Sequence, residues 1–180
     1  MWGAQGAALA TAGFRAIAYD RRGFGETLHA DDAYSQVGDL VAVLDACAPC
    51  APAILVGCSQ GGRIAIDAAL SHPERVSGLL LVAPAISGAP EPSSLPPAIQ
   101  AWIDRVERAE AASDTDRINA LEAHAWLDGP LAREGRVGGA ARELFLAMNE
   151  IALRAEVRGA EIEPPPAWYR LAVLAAPTLV

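Results

Sequence analysis

The pentapeptide Gly57-Cys58-Ser59-Gln60-Gly61 joins an apolar run, Ala53-Ile54-Leu55-Val56, to a stretch of helical periodicity that begins at Gln60 and ends at Ser71. Only Gly57, Cys58 and Ser59 separate the two, so the chain must pass from strand to helix in a sharp turn. Such a turn forces its central residue, Ser59, into strained backbone geometry and holds the side chain clear of both elements. The residues two before and two after approach each other, which asks both to be small, and both are glycine. Gly62 then lets the helix pack near the strand. A serine that merely caps a helix after a glycine turn is the alternative reading of the same residues.

The flanking patterns fix the fold class. His72-Pro73 stops the helix, and Val76 to Val82, VSGLLLV, is a second apolar run. Both apolar runs read as parallel strands buried on both faces. Upstream, Ser35 to Ala46 sets Val37, Leu40, Val41 and Leu44 on one helix face. Phe14 to Tyr19 mixes aromatic, β-branched and small residues, the composition of a strand. Trp2 to Thr11 is an Ala-rich helix with Gly13 as its stop, and Asp20 to Thr27, DRRGFGET, is a loop with two glycines. Strand, helix, strand, helix, strand within about 70 residues predicts βαβ units and an α/β fold with a parallel sheet.

The second half has a different rhythm. Pro84 to Pro97 is a linker rich in Pro, Gly and Ser. Three helical patterns follow, over roughly Ala98 to Ala112, Asp114 to Trp126 and Gly139 to Arg154, with Asp114 or Ser113 placed to cap the second. Pro164-Pro165-Pro166 closes the segment, Trp168 to Ala175 reads as one more helix, and Pro177 to Val180 reads as the first residues of a strand. The expected organisation is a core over residues 1–86, a helical cap over 87–166, and a return to the core over 167–180.

Composition excludes several classes. A formal net charge of −8 in 180 residues argues against a nucleic-acid surface, which needs clustered Lys and Arg. The longest apolar stretches, Gly78 to Ile86 and Leu171 to Val180, fall well below the ~20 residues that span a bilayer. Without a basic region and apolar run at the N-terminus, the expectation is a soluble, cytoplasmic protein with no membrane partner. Three cysteines, an odd count, suit a reducing compartment. Cys47-Ala48-Pro49-Cys50 follows a helix and precedes a strand, the reverse of the redox arrangement, and a zinc site would have only Cys58 left to recruit. It reads as a connecting turn, with no metal and no cofactor expected.

These residues carry a resemblance. LVGCSQGGRIAIDAALSHPERVSGLLLVAPA resembles the nucleophile elbow, following helix and next strand of the α/β-hydrolase family. GFRAIAYDRRGFGET resembles the preceding strand of that family and its D-x-R-G-x-G-x-[ST] loop. Ala176-Pro177-Thr178-Leu179-Val180 resembles the start of the strand that leads to the catalytic acid. Trp126-Leu127-Asp128-Gly129-Pro130 is similar to cap segments of bacterial enol-lactonase-like members. The resemblance covers nearly the whole chain, and the elbow block is its specific part.

The resemblance implies a partial α/β-hydrolase sheet with a helical cap insertion. It implies Ser59 as nucleophile and the backbone N–H of Gln60 as an oxyanion donor. It also implies a chain truncated at both ends: the family's His-Gly loop would precede Met1, and its catalytic acid and His would follow Val180, so acid and His are absent. On the same analogy Phe14 to Tyr19 does not neighbour Ala53 to Gly57, so the two are separated by a gap or forced to pair. The function it implies is hydrolysis of a small-molecule ester, lactone or related acyl substrate, inactive in this chain alone. The alternatives are a non-catalytic fragment or pseudo-enzyme, and a cofactor-free haloperoxidase or perhydrolase using the same serine. Haloalkane dehalogenases and epoxide hydrolases of this fold carry Asp at the elbow, so Ser59 argues against them.

The remaining polar residues take structural readings. His72 ends the helix that Ser59 starts, about 18 Å away at 1.5 Å per residue, out of hydrogen-bond reach. His29 reads as a solvated loop residue and His124 as a packed or solvated helix residue. Asp20 and Arg22 read as holding their loop, Asp67 as a structural or helix-surface acid, and Trp102, Trp126 and Trp168 as cap core.

Overall fold

The computed structural model describes residues 2–180, which divide into two compact units. One comprises the chain up to Tyr19 with Asp31–Pro90 and Gly159–Val180; the other comprises Asp20–Ala30 and Glu91–Arg158.

The first unit holds the sheet. Strands β1 (Ala53–Cys58), β2 (Val76–Val82) and β3 (Thr178–Leu179) run parallel in the order β1-β2-β3. Helix α1 (Gly3–Thr11) lies at the N-terminal end, and Gly13, at φ +88°, ends it as the glycine stop requires. Helix α2 (Gln36–Cys47) begins at Ser35, whose Oγ accepts the Gly38 N–H at 2.9 Å. Helix α3 (Gln60–Ser71) connects β1 to β2. The apolar stripe of α2, Val37, Leu40 and Leu44, meets Ile64, Ala65 and Ala68 of α3 and Leu55, Leu79 and Leu81 of the sheet in one core. Cys47, Cys50 and Cys58 are free thiols.

Two expectations for this unit are corrected. Phe14 to Tyr19 forms no strand: among the described residues no ladder satisfies its backbone, and Phe14 and Ile17 are exposed. It does not pair with β1, whose hydrogen-bonded neighbour is β2, so the forced pairing is not formed. The strands are also buried on one face only. Register sets Val56 beside Leu80 and Leu80 beside Leu179, and this face is open, with Ile54 59% and Val56 42% exposed. The apolar composition of both runs hides the difference, because it is the covering layer, not the strand, that decides burial.

The chain also makes a pairing that local patterns do not announce. Tyr34 exchanges hydrogen bonds with the returning segment, its N–H donating to Ala160 O and its carbonyl accepting from Ile162 N–H. The segment expected as a helix from Trp168 is a 3-10 turn, Ala167–Val173, following three consecutive prolines.

The second unit is helical: α4 (Pro97–Ala111), α5 (Thr115–Ala123) and α6 (Gly139–Arg154). Asp114 caps α5, accepting the Arg117 N–H at 3.0 Å. Beyond α5 the chain continues as a π-helical turn, His124–Asp128, rather than as α-helix to Trp126. The buried Asn119 ties α5 to α6, donating to Leu146 O and accepting from Asn149. Trp102 and Trp126 stack edge to face at 6.2 Å, but Trp126 is exposed and so is Trp168 of the first unit, so these two are not core. In the Asp20–Ala30 loop the Arg21 guanidinium lies 4.4 Å over the Phe24 ring. Among the described residues no helix is long and apolar enough to cross a membrane.

The one-sided sheet gives a test. Leu79→Ala, on the packed face, should cost about 2–5 kcal/mol in urea unfolding, whereas Val56→Ala, on the open face, should cost under about 1 kcal/mol. Equal costs would mean that both faces are covered.

Candidate active site

Ser59 sits between β1 and α3 with φ +49° and ψ −116°, a conformation that L-residues rarely adopt. Its hydroxyl does not cap α3, which removes the capping reading. The turn is held from β2: the Ser59 N–H donates to Val82 O at 3.0 Å, and the Ser59 carbonyl accepts from Ala85 N–H at 3.1 Å. It also accepts from Arg63 N–H at 3.1 Å, the first bond of the helix. Gln60, Gly61 and Gly62 therefore occupy the first turn, where backbone N–H groups precede the helical ladder and the helix dipole is positive.

The glycine requirement is asymmetric, which corrects the expectation that both flanking positions must be small. A Cβ on Gly57 would overlap the Gly61 carbonyl oxygen and fall 2.6 Å from Gly61 C and Gly62 N. A Cβ on Gly61 would meet nothing within 4 Å. What approaches Gly57 is the backbone of Gly61, not its missing side chain. Gly62 is needed, though against Pro84 after β2, where a Cβ would fall 2.7 Å from the Pro84 Cβ.

A second strained residue went unread in the sequence. Ala83, at φ +42°, lies between Val82 and Ala85, which bond the Ser59 backbone from the end of β2. Its only signal is position, immediately after the apolar run of β2.

The three histidines sit in different parts of the chain. His72 ends α3 and lies 3.8 Å from Glu74. His29 is half-buried rather than solvated, because it packs over Gly23, where a Cβ would meet Nε2 at 2.7 Å. His124 is buried in the helical unit with Nε2 3.0 Å from Ala132 O. Among the described residues no cluster of His, Cys, Asp and Glu has the makings of a metal site.

Two aspartates are buried with opposite electrostatic consequences. Asp67, 3% exposed, accepts the Ser87 hydroxyl at 2.7 Å. Burial pushes its carboxyl above the ordinary value of 3.8, against the hydrogen bond and nearby Arg63, which pull it down. Asp128, in the Trp126–Pro130 segment, accepts Val137 N–H at 2.7 Å, Gly135 N–H at 2.8 Å and Arg142 at 2.8 Å. The Val137 bond, then those from Gly135 and Arg142, hold Asp128 below 3.8 despite its burial. Asp67 thus takes the structural role expected of it, and Asp128 organises the turn before α6.

Residues 3–155 match the family model described as serine aminopeptidase, S33. A Variovorax paradoxus protein named as a carbamate hydrolase is 42% identical over 85 residues, 45% of this chain and 32% of that protein. An epoxide hydrolase of Caballeronia sordidicola is 43% identical over 79 residues, 41% of this chain and 24% of that protein. The crystal structure of an esterase from a Rhodococcus species superposes with a TM-score of 0.66 at 27% identity, covering 99% of this chain and 66% of the esterase. The chain spans less than two thirds of each of these relatives.

Asp128 supplies a pH-dependent test. Its folded carboxyl binds a proton more weakly than the unfolded one, so it contributes stability above pH 3.8 that is lost as pH falls through its lowered value. Asp128→Asn should therefore be less stable than the parent at pH 7, with a deficit that shrinks as the pH is taken below 3.8. A deficit independent of pH in urea titrations would contradict this.

Proposed function

This chain belongs to the serine aminopeptidase S33 family of α/β hydrolases, and we propose that it carries the nucleophile half of a serine hydrolase acting on a small ester, lactone or related acyl substrate. The observation that carries the reading is Ser59 itself: strained, exposed, not used as a cap, and placed at the positive end of α3. In this reading the Ser59 hydroxyl attacks the acyl carbon and the Gln60 N–H donates to the developing oxyanion. The helical unit serves as a cap, and the small-molecule substrate needs no cofactor.

The nucleophile also narrows the reaction. Serine attack on an acyl carbon leaves an ester, which water can cleave to regenerate the enzyme. Attack on an epoxide carbon would leave an ether, with no hydrolytic exit. Although one relative is named as an epoxide hydrolase, Ser59 therefore supports acyl chemistry, in keeping with the relatives named for carbamate hydrolysis and as an esterase. A serine of this kind also serves a perhydrolase, which differs in what attacks the acyl-enzyme.

A second reading, a binding module without turnover, is favoured by the histidines: His72 lies at the far end of α3, and Nε2 of His124 is engaged by a backbone carbonyl. Without a base a serine hydroxyl is a poor nucleophile. One experiment separates the two. In a protein that supplies the base and acid to this chain, a fluorophosphonate probe should label Ser59 and no other serine. The 180-residue chain alone should hydrolyse p-nitrophenyl acetate no faster than its Ser59→Ala variant. Labelling that survives Ser59→Ala would end the nucleophile assignment, and serine-dependent turnover by the chain alone would mean that it holds its own base.

A further inference from the structure

One stripe of α3 carries polar contacts to the two limbs of the helical insertion. Arg63 donates to Glu163 at 3.0 Å, Asp67 accepts from Ser87 at 2.7 Å, and the Leu70 carbonyl accepts from Arg170 at 2.8 Å. Positions 63, 67 and 70 follow the i, i+4, i+7 spacing of a single helix face. Ser87 belongs to the outgoing limb of the insertion, and Ala167 and Trp168 to the returning limb. The Ser87 Oγ accepts the Ala167 N–H at 2.8 Å, and the Ser87 carbonyl accepts the Trp168 N–H at 3.0 Å. Gly88, at φ +72°, runs so close to Pro166 that any Cβ would overlap its ring.

We infer that Asp67, Ser87 and Ala167 form a buried clasp that closes the neck of the helical insertion and fixes both of its limbs to the helix that Ser59 begins. Ser87 is the centre of the clasp because it bonds three residues at once: Asp67 of α3 through its hydroxyl proton, and Ala167 and Trp168 of the returning limb through its hydroxyl oxygen and its carbonyl. Hydroxyl geometry makes the two side-chain bonds interdependent. Donation to Asp67 orients the Oγ lone pairs, and one of these receives the Ala167 N–H. Removing the hydroxyl leaves a buried carboxyl and a buried amide without partners, since Ser87, Asp67 and Ala167 are all buried. Asp67 is thus a positioning residue for the two limbs rather than a participant in chemistry at Ser59. It explains why a buried acid stands beside the apolar residues Ile64, Ala65 and Ala68 of the helix.

Native-state hydrogen exchange on the intact chain tests the clasp amide by amide. In the unmutated protein the Ala167 amide should exchange as slowly as the amides in the middle of α3. In Ser87→Ala and in Asp67→Ala it should exchange about tenfold faster or more, with α2 within about threefold of the parent. Asp67→Asn, which keeps an acceptor oxygen, should stay within about threefold of the parent at Ala167. Unprotected exchange at Ala167 in the unmutated protein would overturn the clasp, whether or not the variants fold. Unchanged exchange in Ser87→Ala, or equal loss in Asp67→Asn and Asp67→Ala, would also overturn it.

Discussion

Gly57 and the peptide that joins Gly61 to Gly62 approach each other so closely that no side chain fits at position 57. That approach is possible only if the chain reverses within a single residue, and the reversal puts Ser59 at φ +49°. A strained residue of this kind costs on the order of 1–3 kcal/mol, and Ala83 adds a second on the neighbouring connection. The strain is held by the hydrogen bonds of the Ser59 N–H to Val82 O and of the Ala85 and Arg63 N–H groups to the Ser59 carbonyl, and by the packing of α3 over Leu55, Leu79 and Leu81. The elbow therefore depends on β2 as much as on β1. Sheet, helix and serine are one mechanical object.

How much of this is legible in the sequence depends on how local each feature is. The two apolar runs, the period of α2 and α3, the caps at Ser35 and Asp114 and the glycine stop at Gly13 are set by neighbouring residues, and each stands where its pattern puts it. Phe14 to Tyr19 has the composition of a strand, but a strand needs a partner's ladder, and no local pattern supplies one. The open face of Ile54, Val56 and Leu80 fails to announce itself for the same reason, since these residues look like those on the packed face.

The site divides along the same line. Ser59 is readable because its motif, its strand and its helix are contiguous. Ala83 is not, because no residue pattern around it marks its positive φ. Asp67 is half-readable: an acid among alanines and isoleucines stands out, but its partner, Ser87, lies 20 residues on in a proline-rich linker. The motif overstates the requirement at Gly61. The motif treats its two glycines as equivalent, while the geometry asks a small residue of Gly57 and leaves Gly61 open space.

The asymmetry between those two glycines tests the account most directly. Thermal and urea unfolding of Gly57→Ala and Gly61→Ala would be compared with the parent chain. Gly57→Ala should destabilise by about 3 kcal/mol or more, because the added methyl meets backbone that cannot rotate away. Gly61→Ala, in the first turn of α3 with open space for its methyl, should be neutral or more stable by up to about 1 kcal/mol. A Gly57→Ala chain as stable as the parent, or two variants that lose stability equally, would contradict the claim that this contact builds the elbow.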